Sequence, residues 1–120
     1  MEMKEKLREI TVGAPKNFKS ETVEIDGVEF EVRQPSVEDR GKLMSKAGVT
    51  STRDLDDMDY ASLQAYSVIY CTYVPGTDEK VFSEDDYETI KNCPAGSWVD
   101  QLNAPIMNLM NVQPEEDAKN

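Results

Sequence analysis

The 120-residue chain has no histidine, which removes a large part of enzyme chemistry. Ser-His-Asp and Cys-His nucleophilic catalysis both rely on an imidazole base. With only two cysteines, Cys71 and Cys93, neither a Cys₄ nor a Cys₂His₂ zinc site can be assembled. Those cysteines lie 22 positions apart, outside any CxxC pair. They read as small buried hydrophobes of a cytosolic protein, and a disulfide would require them to meet in space. Long apolar runs are missing too: nothing approaches the ~20 residues of a membrane span. The first ten residues, MEMKEKLREI, carry charges but no apolar leader core, so secretion is not expected. The six glycines form neither GxGxxG nor a P-loop, so no phosphate cradle is visible. What remains for acid-base work is carboxylates, lysines and tyrosines in ordinary surface patterns, and neither catalysis nor a cofactor is expected.

Positive charge is scarce and unevenly placed. Thirteen Lys and Arg face twenty-four Asp and Glu, for a net charge of −11. In residues 1–20 five basic groups against three acidic ones leave +2; in residues 54–120 three basic against fourteen acidic leave −11. A basic head on a strongly acidic body argues against nucleic-acid binding, which wants a basic stripe. It suits head-to-tail self-association or a basic protein partner.

The length fits one domain able to bury a core without metal or disulfide support. Residues 1–20 read as a flexible basic segment, in which residues 2–10 have the makings of a short charged helix ended by Gly13-Ala14-Pro15. The domain is expected over 21–111. It opens with a hairpin at 21–33, whose Asp26-Gly27 suits a type I′ turn and sets Ile25 opposite Val28 and Val23 opposite Phe30. Helices are expected at about 36–47, 57–73, 83–92 and 97–111. Ser36, Ser83 and Ser97, each followed three residues later by Asp, resemble capping boxes with the shorter acid. Phe82 and Tyr87 are placed as a hydrophobic staple. Val37, Leu43, Met44 and Ala47 give the first helix an inner face, and the helix over 57–73 should be the most buried. Pro105 should kink or split the last helix. Residues 112–120 form a polar, acidic tail expected to be disordered. The fold class is therefore α+β, a mainly α-helical small domain with one N-terminal β-hairpin packed on a helical bundle.

Two features invite a functional reading. Asp54, Asp56, Asp57 and Asp59 look like a cation cluster, but an EF-hand loop would place Gly where Asp59 stands and Glu where Ala65 stands, so they read as helix-capping acids. The last helix carries more apolar surface than docking a small terminal helix needs. Trp98, Leu102, Ile106, Met107, Leu109 and Met110 are the candidate protein interface, with core packing as the competing assignment for the same side chains. Met-rich faces adapt to varied apolar partners and also fill cores.

Taken together, the hairpin ending Glu31-Val-Arg-Gln-Pro35, the helix opening Ser36-Val-Glu-Asp-Arg40, the Tyr/Val/Ile-rich central helix and the entry Glu79-Lys-Val-Phe-Ser-Glu-Asp-Asp-Tyr87 before a Gly-broken amphipathic helix resemble the tail assembly chaperones of long-tailed phages and prophages. The resemblance covers about residues 21–111. It implies a largely helical fold with a small β element and no catalytic residues. It implies a protein that binds and solubilises the tape measure protein, helps recruit tail tube protein, self-associates, works in the host cell cytoplasm and is absent from the mature virion. It implies no nucleic acid or membrane partner. Competing readings are an acidic DNA mimic or other small inhibitory protein, and a minor structural subunit of the tail.

Overall fold

The computed structural model describes residues 2–48 and 59–110. Expectations for the acidic tail, and for Asp54, Asp56 and Asp57, fall outside these residues.

The β-hairpin forms in the expected register. Strands β1 (Ser20–Ile25) and β2 (Val28–Arg33) are antiparallel, with Val23 opposite Phe30 and Ile25 opposite Val28. Asp26 and Gly27 both have positive φ, 54° and 80°, as a type I′ turn demands. Alternation then decides the faces. Val32 is fully buried while Val23, Ile25 and Phe30 are half-buried on the inner side. The outer face carries Glu31 and Arg33, which pair at 3.0 Å.

Helix α1 (Glu2–Glu9) precedes the hairpin, and none of its residues is buried. After the hairpin comes α2 (Val37–Lys46), capped by Ser36, whose hydroxyl accepts from the Asp39 amide at 3.0 Å. The Asp39 carboxylate reaches out to Lys80 at 3.0 Å. Leu43 and Ala47 are buried as expected, but Val37 is exposed, because it occupies the first helical position and faces away from the bundle.

Helix α3 (Tyr60–Cys71) is the hub, with eight of its twelve residues buried. Its cap is Asp59, whose carboxylate accepts from the Ser62 amide at 3.3 Å and from the Ser62 hydroxyl at 2.7 Å. The helix was expected to continue through Tyr73. Instead the chain leaves it at Cys71, and Thr72 and Tyr73 form a third strand, β3, antiparallel to β2. The β-branched Thr72 and aromatic Tyr73 favour an extended backbone once a strand edge is within reach. The hairpin thereby becomes a three-stranded sheet of order β1-β2-β3.

The loop after β3 is fastened to the outer face of the sheet. Arg33 pairs with Asp78 at 2.9 Å, donates to the Thr77 carbonyl, and lies 4.0 Å over the Tyr73 ring. Glu31 accepts from the Gly76 amide at 2.9 Å. That amide and the Arg33 guanidinium hold the Glu31 carboxyl below its ordinary range.

Ser83 and Asp86 form the expected capping box. The element it opens is a 3₁₀ turn (Glu84–Asp86) running into the short helix α4 (Tyr87–Lys91). The rings of Phe82 and Tyr87 stack on Trp98 and Tyr66 respectively. The Ser97-Asp100 box does not close. The Ser97 side chain makes no capping bond, and the Asp100 carboxylate takes the Gly96 amide.

The final helix, α5 (Trp98–Leu109), runs through Pro105 unbroken, so the expected split does not occur. The acceptor that proline strands is the carbonyl of exposed Gln101, which water can satisfy. Helix α5 packs on α3 along one side and on β1 and β2 along another. Val32, Leu43, Val68, Ile69, Leu102 and Ile106, each at most 1% exposed, form the centre of the core between these layers. Asn103 ties the helices together, donating to the Gln64 carbonyl at 3.1 Å across a buried contact. Among the described residues the class is α+β, with five α-helices and one three-stranded antiparallel sheet.

Candidate protein interface

The six side chains expected to form an interface do not share one environment. Leu102 and Ile106 are 0% exposed and Leu109 9%, all within the core cluster. In this conformation they offer a partner essentially no surface. The reason is that α5 has neighbours on two sides, so its broad apolar face is covered by α3 and the sheet. Trp98, Met107 and Met110 are half-buried and retain accessible surface. They do not make a single stripe, since Met107 sits roughly 180° around the helix from Trp98.

Trp98 belongs to a different constellation, one that combines residues far apart in sequence. Its ring stacks on Phe82 with centroids 5.5 Å apart and planes within 19°. Around this pair Ile25, Asp26, Phe30, Val81 and Gln101 complete a groove of about 390 Å³. The hairpin supplies one wall, the 81–82 entry the second, and the start of α5 the third. The lining is mostly apolar, with Asp26 as its one ionisable residue. Val28 at the hairpin tip stays 60% exposed, and Val81 stays 38% exposed. Phe82 and Trp98 were each visible in the sequence as anchors, but their meeting required the tertiary fold. The inward alternation of Ile25 and Phe30 was the one signal that pointed to this wall.

A second aromatic group locks the bundle. Tyr66 stacks on Tyr87 at 4.5 Å and on Tyr70 at 6.2 Å, and Lys46, Lys80 and Lys91 lie over rings of this group at 5.1 to 5.4 Å. The Ser62 and Tyr87 hydroxyls share a 2.6 Å hydrogen bond, and Tyr70 donates to Glu84. Burial, reinforced by Glu84, pushes the Tyr70 phenol well above its ordinary value. The same bond holds Glu84 below the ordinary carboxylate range. These contacts clamp α3 to α4, and its raised phenol leaves Tyr70 poorly suited to proton transfer.

The chemistry of single groups points the same way. Cys71 is fully buried, and desolvation raises its thiol to about 12, so it is a packing residue and not a nucleophile. Among the described residues no group of three or more Cys, Asp or Glu is placed to hold a metal ion. No described helix is long and apolar enough to cross a membrane.

The fold and groove define a small α+β domain with an apolar recess between sheet, entry loop and terminal helix. The same fold is found in the bacteriophage HK97 tail assembly chaperone, with a TM-score of 0.61. The similarity covers 91% of this chain and 97% of that one, at 19% sequence identity. No protein-family model and none of the curated proteins matches the sequence.

Proposed function

We propose that the chain is a phage tail assembly chaperone, a binding protein without catalysis that holds the tape measure protein in solution and helps bring tail tube subunits to it. The observation that carries this reading is the shared fold, which extends over nearly the full length of both chains. The groove fits the task. Its Phe82-Trp98 wall, with Ile25, Phe30 and Val81 beside it, suits the apolar face of a client helix presented as i, i+3 and i+4 anchors. The net charge of −11 would keep the pair of chains soluble. On this reading the protein acts in the host cell cytoplasm and leaves before the virion is complete.

Co-expression with a fragment of the tape measure protein tests the proposal. The fragment should move from the pellet to the supernatant and co-purify with this chain. A fragment that is equally insoluble with and without the chain refutes it.

A further inference from the structure

We propose that a second groove, between residues 15–18 and the start of α2, binds an extended acidic peptide of another protein. Its carboxylates would meet Lys16 and Arg40, and an apolar side chain would lie against Phe18 and Val37. The inference goes beyond the function proposed above and holds with any client or none.

The local chain explains why a recess stands there. Ahead of β1 the backbone is tied to the residue that follows β2. The Gln34 amide donates to the Lys19 carbonyl at 2.9 Å, and the Lys19 amide donates to the Gln34 side-chain oxygen at 3.2 Å. That double tie sets Phe18 at the end of the sheet, beside Pro35 and the first turn of α2. Pro15 and Pro35 keep the chain on both walls out of a helical path. The recess holds about 600 Å³, within the range of ligand clefts. Phe18 is 46% exposed and Val37 79%, and neither belongs to the core cluster.

Charge selects the ligand. Lys16 and Arg40 line the groove and make no ion pair among the described residues. By contrast Arg33, Lys42, Lys46 and Lys80 each hold a carboxylate. Among the described residues no acid lines this groove. The two acids between Val37 and Arg40 on α2, Glu38 and Asp39, are taken by Lys42 and Lys80. A protein of net charge −11 thus leaves two cations unneutralised beside exposed apolar side chains, which suits a ligand that carries carboxylates.

The backbone selects its shape. The amides of Lys16, Asn17 and Phe18 make no hydrogen bond among the described residues, so a strand-like peptide running past them can accept from them. The groove shares none of its lining with the Phe82-Trp98 groove, whose one ionisable residue is Asp26. A recess of the opposite sign calls for a different partner.

Fluorescence polarisation on the full-length chain tests the proposal. The probe is a labelled peptide repeating Glu-Leu-Glu-Pro, beside a control with glutamine in place of every glutamate. Because the whole chain is acidic, general attraction works against the first peptide, and its binding reports a local cationic site. The glutamate peptide should bind, and bind less well as salt rises. The glutamine peptide should bind at least about fivefold more weakly, and so should the glutamate peptide on Arg40→Glu and on Lys16→Glu. Val37→Ser should weaken both peptides alike, and Lys91→Glu, away from the groove, should leave binding unchanged. All four positions are exposed, and circular dichroism checks that each variant keeps the wild-type fold. A glutamate peptide that does not bind, two peptides that bind equally, or Arg40→Glu and Lys16→Glu variants that bind like the wild type overturn the proposal. So does sedimentation velocity in which those two variants change the mass of the protein alone while peptide binding stays, an outcome that gives the groove to a second copy.

Discussion

Replacing Ile106 by alanine separates the two roles that α5 could have. The side chain is 0% exposed and lies in the core that α5 forms with α3 and the sheet. Ile→Ala substitutions in cores cost about 2–5 kcal/mol, and the cost rises with the cavity that stays open. Here the helix is held from two sides, and Asn103, one turn before, is fixed to the Gln64 carbonyl. Collapse into the space is therefore restricted, which favours the middle of the range or above, about 3–4 kcal/mol. For a domain of this size one kcal/mol moves the melting temperature by about 4–6 °C, so the expected drop is roughly 12–24 °C. Urea unfolding followed by circular dichroism should show a lower midpoint at an unchanged slope. Met107→Ala, on a half-buried side chain, should cost clearly less, about 1–2 kcal/mol. If Ile106→Ala shifted the midpoint by under about 1 kcal/mol, the packing described for α5 would be wrong, and its apolar face would have to serve another chain.

Three further outcomes follow from local chemistry. Ser83→Ala should remove the capping box at the 3₁₀ turn and cost about 1 kcal/mol, read from the urea midpoint, whereas Ser97→Ala, which breaks no capping bond, should cost less. Glu31 has its folded-state pKa lowered from 4.5, so its contribution is complete above that value and is lost as pH falls through the lower folded value; Glu31→Gln should be less stable than wild type near neutrality, with the gap closing below about pH 4.5. Iodoacetamide should add at most one label to the native protein, at half-buried Cys93, and two after denaturation, because Cys71 has neither access nor a thiolate; two labels under native conditions would contradict the burial of Cys71.

The parts of the fold legible in the sequence are those governed by neighbours along the chain. The type I′ turn at Asp26-Gly27, the strand register it sets, and the caps at Ser36 and Ser83 each depend on a few adjacent residues, and each forms as expected. The failures lie where a distant segment outcompetes a local preference. Thr72 and Tyr73 continue a helical pattern, yet the open edge of β2 offers them strand hydrogen bonds, and β3 results. Ser97 and Asp100 have the spacing of a cap box, yet the Gly96 amide captures the carboxylate first. Pro105 breaks helices in general, but the one acceptor it strands here is on the wet side of α5. The groove was hidden for the same reason, since its walls come from residues 25–30, 81–82 and 98–101 and meet only after the sheet has folded onto α5.

The apolar surplus of the last helix also takes on a different meaning. A terminal helix docked on one neighbour needs a single stripe, and anything wider suggests a partner. Helix α5 has two neighbours, α3 and the sheet, and two-sided burial accounts for Leu102, Ile106 and Leu109 without invoking another chain. The unexplained apolar surface lies elsewhere. Met3 and Leu7 on α1 and Ile10 just past its end stay more than half exposed, on the one stretch of the protein that carries net positive charge. Scattered single exposed hydrophobes need no explanation, but three so close together on one short segment do. A surface search for partners should therefore begin at the N-terminal helix and the groove beside Trp98, because those are the places where burying apolar area would not require the core to open.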